Sequence, residues 1–298
     1  MTTVPILTDF WTVIHMENIN RSFTFSGGQC SIIRTCTYPD KCLGILHSGI
    51  TSVEVCCSLT NNMRSKCNGT KKAVIIGVDY EDSTHELKSP ISDTFHLRIE
   101  LDLIREFPQR NTRIYTDVED DNRIPTKSNI MRGIKWLVSG AKANDSLFFY
   151  FAGHGGLNRD DESYILTSDD KRITHEELRD KLVDDLPDGC RLTAVFDCCH
   201  AGNMLNLKYN YTRVSDLKYN EPDVDGESTQ VDVICWSASP WDKGTKDGPF
   251  GKGYMSNAFI DDSEASYVEM FRILRRACPG AQLTTSHRIS DPDKKFIM

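Results

Sequence analysis

No run of apolar residues in this 298-residue chain approaches the roughly 18–20 that a membrane-spanning helix needs. The chain has no surplus of positive charge either: 35 Lys and Arg stand against 43 Asp and Glu, leaving a net charge of −8. Phosphate binding draws on excess Lys and Arg, so this balance argues against a general nucleic-acid binder. The opening stretch "MTTVPILTDFWTVIHMENINR" lacks the basic start and unbroken apolar centre of a secretion signal. The expected location is therefore the cytoplasm, or the nucleus.

Cysteine is scarce over most of the chain and crowded at one end. Of 11 cysteines, Cys30, Cys36, Cys42, Cys56, Cys57 and Cys67 fall in one short window. Cys190, Cys198, Cys199, Cys235 and Cys278 are spread over the rest, and in a reducing compartment they read as buried or reactive free thiols. The pattern changes near Gly69–Lys71. Residues 1–70 are polar, Cys-rich and weakly periodic, and are expected to form a poorly ordered pro-region or a small stapled or metal-bound module. Residues 71–298 alternate short apolar runs with helical patterns.

"KKAVIIGVDY" (71–80) is a β-branched run expected as a buried strand. "SDTFHLRIELDLIREF" (92–107) suits a helix capped by Ser92 or Asp93, with Phe95, Ile99 and Leu103 on one face. "NTRIYTD" is a short second strand, and "TKSNIMRGIKWLVSGA" a helix capped by Thr126 with Ile130, Ile134, Leu137 and Val138 together. "DSLFFYFAG" is a third strand. "ITHEELRDKLVDDL" opens with Thr174 and Glu177 at capping-box spacing. "CRLTAVFDC" and "VDVICWSAS" are further strands, and "GYMSNAFIDD" and "SYVEMFRILRRA" the last helical stretches. Strands separated by helices predict an α/β fold, a mostly parallel sheet flanked by helices on both faces. Functional groups in such folds gather at the carboxyl ends of the strands.

Two strand ends carry chemistry. One closes in "AGHGG" with His154, the next in "DCCHAG" with Cys198, Cys199 and His200. Taken singly, a Cys or His is more often a satisfied core residue than a catalyst. Here both types end successive apolar strands beside glycines. A thiol becomes a nucleophile as the thiolate, which a nearby imidazole or the N-terminus of a following helix favours. The N–H groups of Gly155 and of the nucleophile itself could form an oxyanion hole. Zinc is disfavoured because no Cys-x-x-Cys pair lies near either strand end. A cysteine phosphatase would need an Arg closing the loop, and "CHAGNML" holds none.

"YFAGHGG" followed by "DCCHAG" resembles the histidine and cysteine motifs of metacaspases, within the caspase-like cysteine peptidases. Cys199 lies 45 residues beyond His154 (199 − 154), close to the roughly 50 that separate the pair in caspases. "KAVIIGVDY", "DSLFFYFAGHGG", "VICWSAS" and "TSHRISDPDKKFIM" resemble further family segments in the same order, so the resemblance runs from Lys71 to the C-terminus and is nearest to fungal-style type I members.

The resemblance implies a caspase-like fold and a cysteine endopeptidase that cuts after Arg or Lys. It implies Cys199 as nucleophile, Cys198 as spacer and His154 as general acid–base, with Asp93 and Asp197 in the pocket for the cationic side chain. Ala152 stands where many members carry a pocket Ser, and Pro90 where many carry Cys. No cofactor is needed for the chemistry. Calcium is implied as an activator, with Glu162 and Glu176 as candidate ligands, although His175 stands where an acid is usual and calcium favours oxygen. Partners are protein or peptide substrates with Arg or Lys before the cut, acting on a monomer. Residues 206–230 read as an exposed loop with Lys208, Arg213 and Lys218 open to self-processing. The competing expectation is an inactive caspase-like scaffold for protein–protein binding.

Overall fold

In the segment Lys71–Gly77, valine and isoleucine follow one another without a polar break, and in the computed structural model it is strand β3, inside a sheet next to its edge strand. The structure describes residues 24–26, 29–31, 64–239 and 264–298. The chain divides into two units, Met1–Met63 and Arg64–Met298. The described part of the first is an antiparallel pair, β1 (Thr24–Ser26) and β2 (Gln29–Ser31). The expectations for Cys30, Cys36, Cys42, Cys56 and Cys57 as staples or metal ligands, and for a helix at "GYMSNAFIDD", lie outside the described residues apart from the backbone of Cys30.

In the second unit, β3 is followed by α1 (Pro90–Leu103), β4 (Thr112–Thr116), α2 (Lys127–Val138) and β5 (Ser146–Ala152). A small antiparallel sheet of β6 (Gly155–Leu157), β7 (Ser163–Leu166) and β8 (Arg172–Thr174) comes next, then the short helix α3 (His175–Arg179). Strand β9 (Arg191–Asp197) returns to the main sheet. The chain then forms β10 (Tyr209–Tyr211), α4 (Val214–Tyr219), β11 (Asp223–Val224), β12 (Asp232–Ser237), α5 (Tyr267–Ala277) and β13 (Gln282–Thr285). The main sheet has the order β11-β10-β13-β12-β9-β5-β3-β4. Its neighbours are parallel from β12 to β4 and antiparallel from β11 to β12.

Strand alternation sorts the core into two layers. Phe148, Tyr150 and Ala152 of β5 face α1 and α5, with Val195, Trp236 and Phe271. Leu147, Phe149 and Phe151 face the other way, toward Ile130 and Ile134 of α2 and Leu178 of α3. Because both faces of β5 are covered, its whole side-chain sequence is apolar save the terminal Ser146, as a doubly covered parallel strand requires. Thr126 caps α2 and Thr174 with Glu177 closes the capping box of α3, as their spacing implies. A buried ion pair, Arg191 Nη2 to Asp232 Oδ2 at 2.8 Å, joins β9 to β12 at their amino ends, away from the carboxyl edge.

Three expectations are corrected. Helix α1 starts earlier, with Ser89 at the N-cap and Pro90 in the first turn, so neither Ser92 nor Asp93 is the cap. Its buried face is Pro90, Asp93, Thr94, Leu97 and Leu101, whereas Ile99 is 53% and Leu103 75% exposed. Both sides of this helix carry apolar residues at one-turn spacing, so periodicity could not choose between them. Residues 206–230 are no open loop: β10, α4 and β11 extend the sheet, and Lys208 is buried with its ammonium donating to Ser228 Oγ at 3.1 Å. Finally, no helix follows Cys199. Asn203 and Asn206 adopt left-handed backbone there and the chain continues as turns, so a helix N-terminus is not what tunes that thiol.

Candidate active site

The chain leaves β3 to form β4 on one side and comes back to form β5 on the other, so the sheet order reverses at β3. A crevice opens at such a reversal, outside the carboxyl ends of the strands. Gly77, Ala152 and Asp197 form one register row across β3, β5 and β9. Two residues past this row come Asp79, His154 and Cys199. The sheet register alone therefore brings the imidazole and the thiol to adjacent positions.

The turns carrying them touch. A Cβ on Gly155 would overlap the carbonyl oxygen of Cys199 and come within 2.9 Å of Cys198 Sγ, so only glycine fits. Gly155 and Cys199, the expected oxyanion donors, thus share this contact.

The adjacent cysteines have opposite environments. Cys198 follows Phe196 onto the α2 face, is fully buried, and burial pushes its thiol well above the usual range. Its carbonyl accepts from Ser239 Oγ at 3.1 Å. Cys199 falls on the other parity and is partly exposed. Period-two alternation thus separates a core thiol from an accessible one.

His154 is held on three sides. Its Nε2–H donates to the carbonyl oxygen of His85 at 2.6 Å. A carbonyl only accepts, so the proton sits on Nε2 and Nδ1 remains the basic nitrogen. The His154 backbone N–H donates to Tyr80 Oη at 2.9 Å, and Tyr80 Oη donates to the Leu166 carbonyl at 2.7 Å. Burial pushes the Tyr80 phenol up, so it stays a neutral hydroxyl able to do both. The Tyr80 and His154 rings lie 4.8 Å apart between centroids, tilted by 41°. Tyr80 and His85 were not singled out in the sequence; both lie past the end of β3, where only the fold shows that the loop turns toward β5.

Asp93, Ala152 and Asp197 share the α1 side of this edge. Ala152 is 2% exposed and is part of the core beneath, while Asp197 is half-buried at the end of β9. Asp93 is 8% exposed on the first turn of α1, and its carboxyl is raised to about 6, chiefly by burial. A hydrogen bond from Ser89 and the nearby His96 pull the other way. Two further acids join this edge. Asp79 Oδ1 accepts from Ile91 N–H at 3.1 Å, and Asp117 Oδ2 accepts from the Asp79 and Tyr80 N–H groups at 2.8 Å each. Burial raises both carboxyls. Their signal in the sequence was an acid within "IGVDY" and another closing "IYTD", just past the ends of paired strands.

The structure also gathers Glu162, His175 and Glu176, with one ligand atom of each within 4.8 Å of the others. Asn158 Nδ2 donates to Glu162 Oε2 at 2.6 Å and steadies that carboxylate. Calcium takes six to eight oxygen ligands. Two carboxylates and an imidazole nitrogen do not fit it, and His175 is the residue that breaks the set.

A mostly parallel α/β sheet with a histidine and an accessible cysteine on neighbouring strand ends defines the class: an α/β protein with a Cys–His site at the topological switch. The family model described as "Metacaspase, peptidase C14 domain" matches residues 71–208. Metacaspase-1A of Aspergillus oryzae is 30% identical over 296 residues, covering 76% of this chain and 70% of that protein. Metacaspase-1 of Yarrowia lipolytica is 42% identical over 178 residues, covering 56% of this chain and 38% of that protein. The chain belongs to the metacaspase family. It spans 50% of the length of another relative, Metacaspase-1 of Lodderomyces elongisporus, at 36% identity over 230 residues. Among solved structures, protein GSU0716 from Geobacter sulfurreducens shares the fold, with a TM-score of 0.55 at 16% identity over 77% of this chain and 98% of that one.

Proposed function

We propose that this chain is a cysteine endopeptidase that cleaves after Arg or Lys. The observation that carries the reading is the register row: Ala152 beside Asp197 sets His154 against Cys199, with the second thiol buried away. Family membership supports the same reaction class.

In the proposed reaction, Cys199 Sγ attacks the peptide carbonyl as the thiolate, its proton held on His154 Nδ1. The oxyanion that forms lies over the N–H groups of Gly155 and Cys199. Collapse breaks the C–N bond, and the imidazolium gives its proton to the leaving amine. A water then attacks the thioester carbonyl, His154 Nδ1 taking its proton, and Cys199 leaves again with the acid product. Throughout, His154 keeps Nε2–H on the His85 carbonyl, which fixes its ring plane.

The acids along the α1 side support a cationic substrate side chain, since buried carboxylates select Arg or Lys over an acidic residue. Asp93 and Asp197 are the proposed direct partners, with Asp79 and Asp117 adding negative potential behind them. Self-processing is proposed at Arg213 or Lys218, the basic residues of 206–230 that remain exposed. Calcium activation needs ligands beyond Glu162 and Glu176.

The test is a peptide library with each residue type in turn before the scissile bond, run on wild type and on Cys199→Ala. Cleavage confined to Arg and Lys and lost in Cys199→Ala is the expected result. Cleavage after Asp would remove the pocket assignment, and cleavage surviving Cys199→Ala would remove the nucleophile.

A further inference from the structure

The partner of His154 is a backbone carbonyl in the loop between β3 and α1, so its direction depends on what holds that loop. Near the strand end the loop is well tied. Asp117 accepts from Asp79 and Tyr80, Leu87 N–H donates to the Asp79 carbonyl at 2.7 Å, and Ser83 N–H donates to the Tyr80 carbonyl at 3.1 Å. At the loop tip, the His85 ring reaches across to the turn between β7 and β8. Among the described residues its Nε2 is buried without a hydrogen-bond partner, and it lies 3.6 Å from Asp170 Oδ1. The ring is 5.3 Å from Tyr80 and 5.5 Å from His154 between centroids.

The opposing turn is a firm support. Asp169 Oδ1 accepts from Lys127 N–H at 2.9 Å and from Thr167 Oγ1 at 2.6 Å, and Asp170 N–H donates to the Thr167 carbonyl at 3.1 Å. Asp170 itself has φ +54, a left-handed conformation that projects its carboxylate from the turn. A buried ring nitrogen with no hydrogen-bond partner among the described residues, facing a carboxylate just beyond hydrogen-bond reach, is poised to close onto it.

We propose that the His85 side chain, paired with Asp170, is the positioning residue that aims the carbonyl acceptor of His154, and so sets turnover rather than substrate affinity. The inference rests on the reading of Cys199 and His154 as the reacting pair. The charged and titratable groups about the ring are Asp170, His154 and the Tyr80 hydroxyl, with Glu86 and Lys88 next along the loop. The Asp170 side chain is 77% exposed, so the pair adds little to folding stability and its loss leaves the fold intact. None of the proposed pocket acids takes part in it, so recognition of Arg or Lys is untouched.

The experiment uses the full chain with His85→Gln, Asp170→Asn and the double variant, beside His154→Ala. Asn tolerates left-handed backbone, which makes Asp170→Asn a mild change. With an Arg reporter peptide, each single variant is expected to lower kcat roughly ten- to hundredfold, the effect of a misplaced catalytic group, with KM unchanged. The double variant should be no worse than His85→Gln alone. A second readout needs no substrate: the pH dependence of Cys199 alkylation by iodoacetamide, mapped by mass spectrometry, should lose its low-pH reactivity in His85→Gln as in His154→Ala. If His154→Ala changes alkylation and turnover while His85→Gln and Asp170→Asn change neither, the inference is overturned alone. It is also overturned if kcat and KM change together with a lower melting temperature, or if the two variants add. If His154→Ala leaves alkylation unchanged, the reacting pair itself falls.

Discussion

Replacing Asp93 by Asn separates a substrate-binding acid from a structural one, because the two roles predict opposite signs in stability. The Asp93 carboxyl is raised from 3.8 to about 6, mainly by burial. Well below pH 4 it is protonated in both the folded and unfolded states and makes no difference to stability. As pH rises from about 4 to 6, the unfolded chain ionises it first, and the folded state is penalised. Above pH 6 the penalty is complete. A gap of about 2 pH units corresponds to about 3 kcal/mol at most. Asp93→Asn should therefore stabilise the fold at pH 7 by about 1–3 kcal/mol, at about 2–4 °C of melting temperature per kcal/mol. At pH 4 most of the gain should vanish. The same change should impair activity on basic substrates. In the wild type, the ionised fraction at pH 5 is about a tenth, so KM for an Arg reporter should rise about tenfold between pH 7 and pH 5. Asp93→Asn should raise KM at pH 7 and flatten that rise. Thermal melts at pH 4 and 7, with KM measured from pH 5 to 8, give both readouts. A variant that melts lower at pH 7 and keeps the wild-type KM profile would refute the reasoning and return Asp93 to a structural role. A residue retained at a cost to stability fits a site that is strained until its ligand arrives.

Cys198→Ala should retain most peptidase activity with a modest loss of stability, while Cys199→Ala should abolish activity with no change in melting temperature; equal loss of activity in both would sink the division between core thiol and accessible thiol. Gly155→Ala should reduce kcat at least a hundredfold, on the order of the loss from removing an oxyanion donor, because a Cβ there overlaps the Cys199 carbonyl; wild-type turnover would show that the turns can part. Calcium should bind the wild type weakly by isothermal titration, and His175→Asp should tighten it by supplying an oxygen ligand. Tight calcium binding by the wild type that is insensitive to this change would show that the ion sits elsewhere.

Much of the site was legible along the chain because strand ends converge by construction in a parallel sheet. "AGHGG" and "DCCHAG" each close an apolar run, and the register of β5 with β9 sets Ala152 opposite Asp197, so the residues two positions beyond them meet. Local rules held where a single turn decides the outcome, as with Thr126 on α2 and Thr174 with Glu177 on α3. They failed where two solutions satisfy the same pattern. Helix α1 carries Leu97 and Leu101 on one side and Ile99 and Leu103 on the other, and only packing on β3 and β5 chose the first pair. The antiparallel strands β10, β11 and β13 are two to four residues each, too short for periodicity to register.

By itself, then, the sequence determined the α/β alternation and the strand ends that bear the imidazole and the thiols, while the family resemblance marked Cys199 rather than Cys198 as the nucleophile. The tertiary structure alone decided the rest: the burial of Cys198 in the core, Asp79 and Asp117 joining the acids at this edge, and the His85 carbonyl against His154. The physical reason is one of range. Alternation and capping act within a few residues, whereas a carbonyl 69 positions from the imidazole it orients is brought there only by the order of the strands.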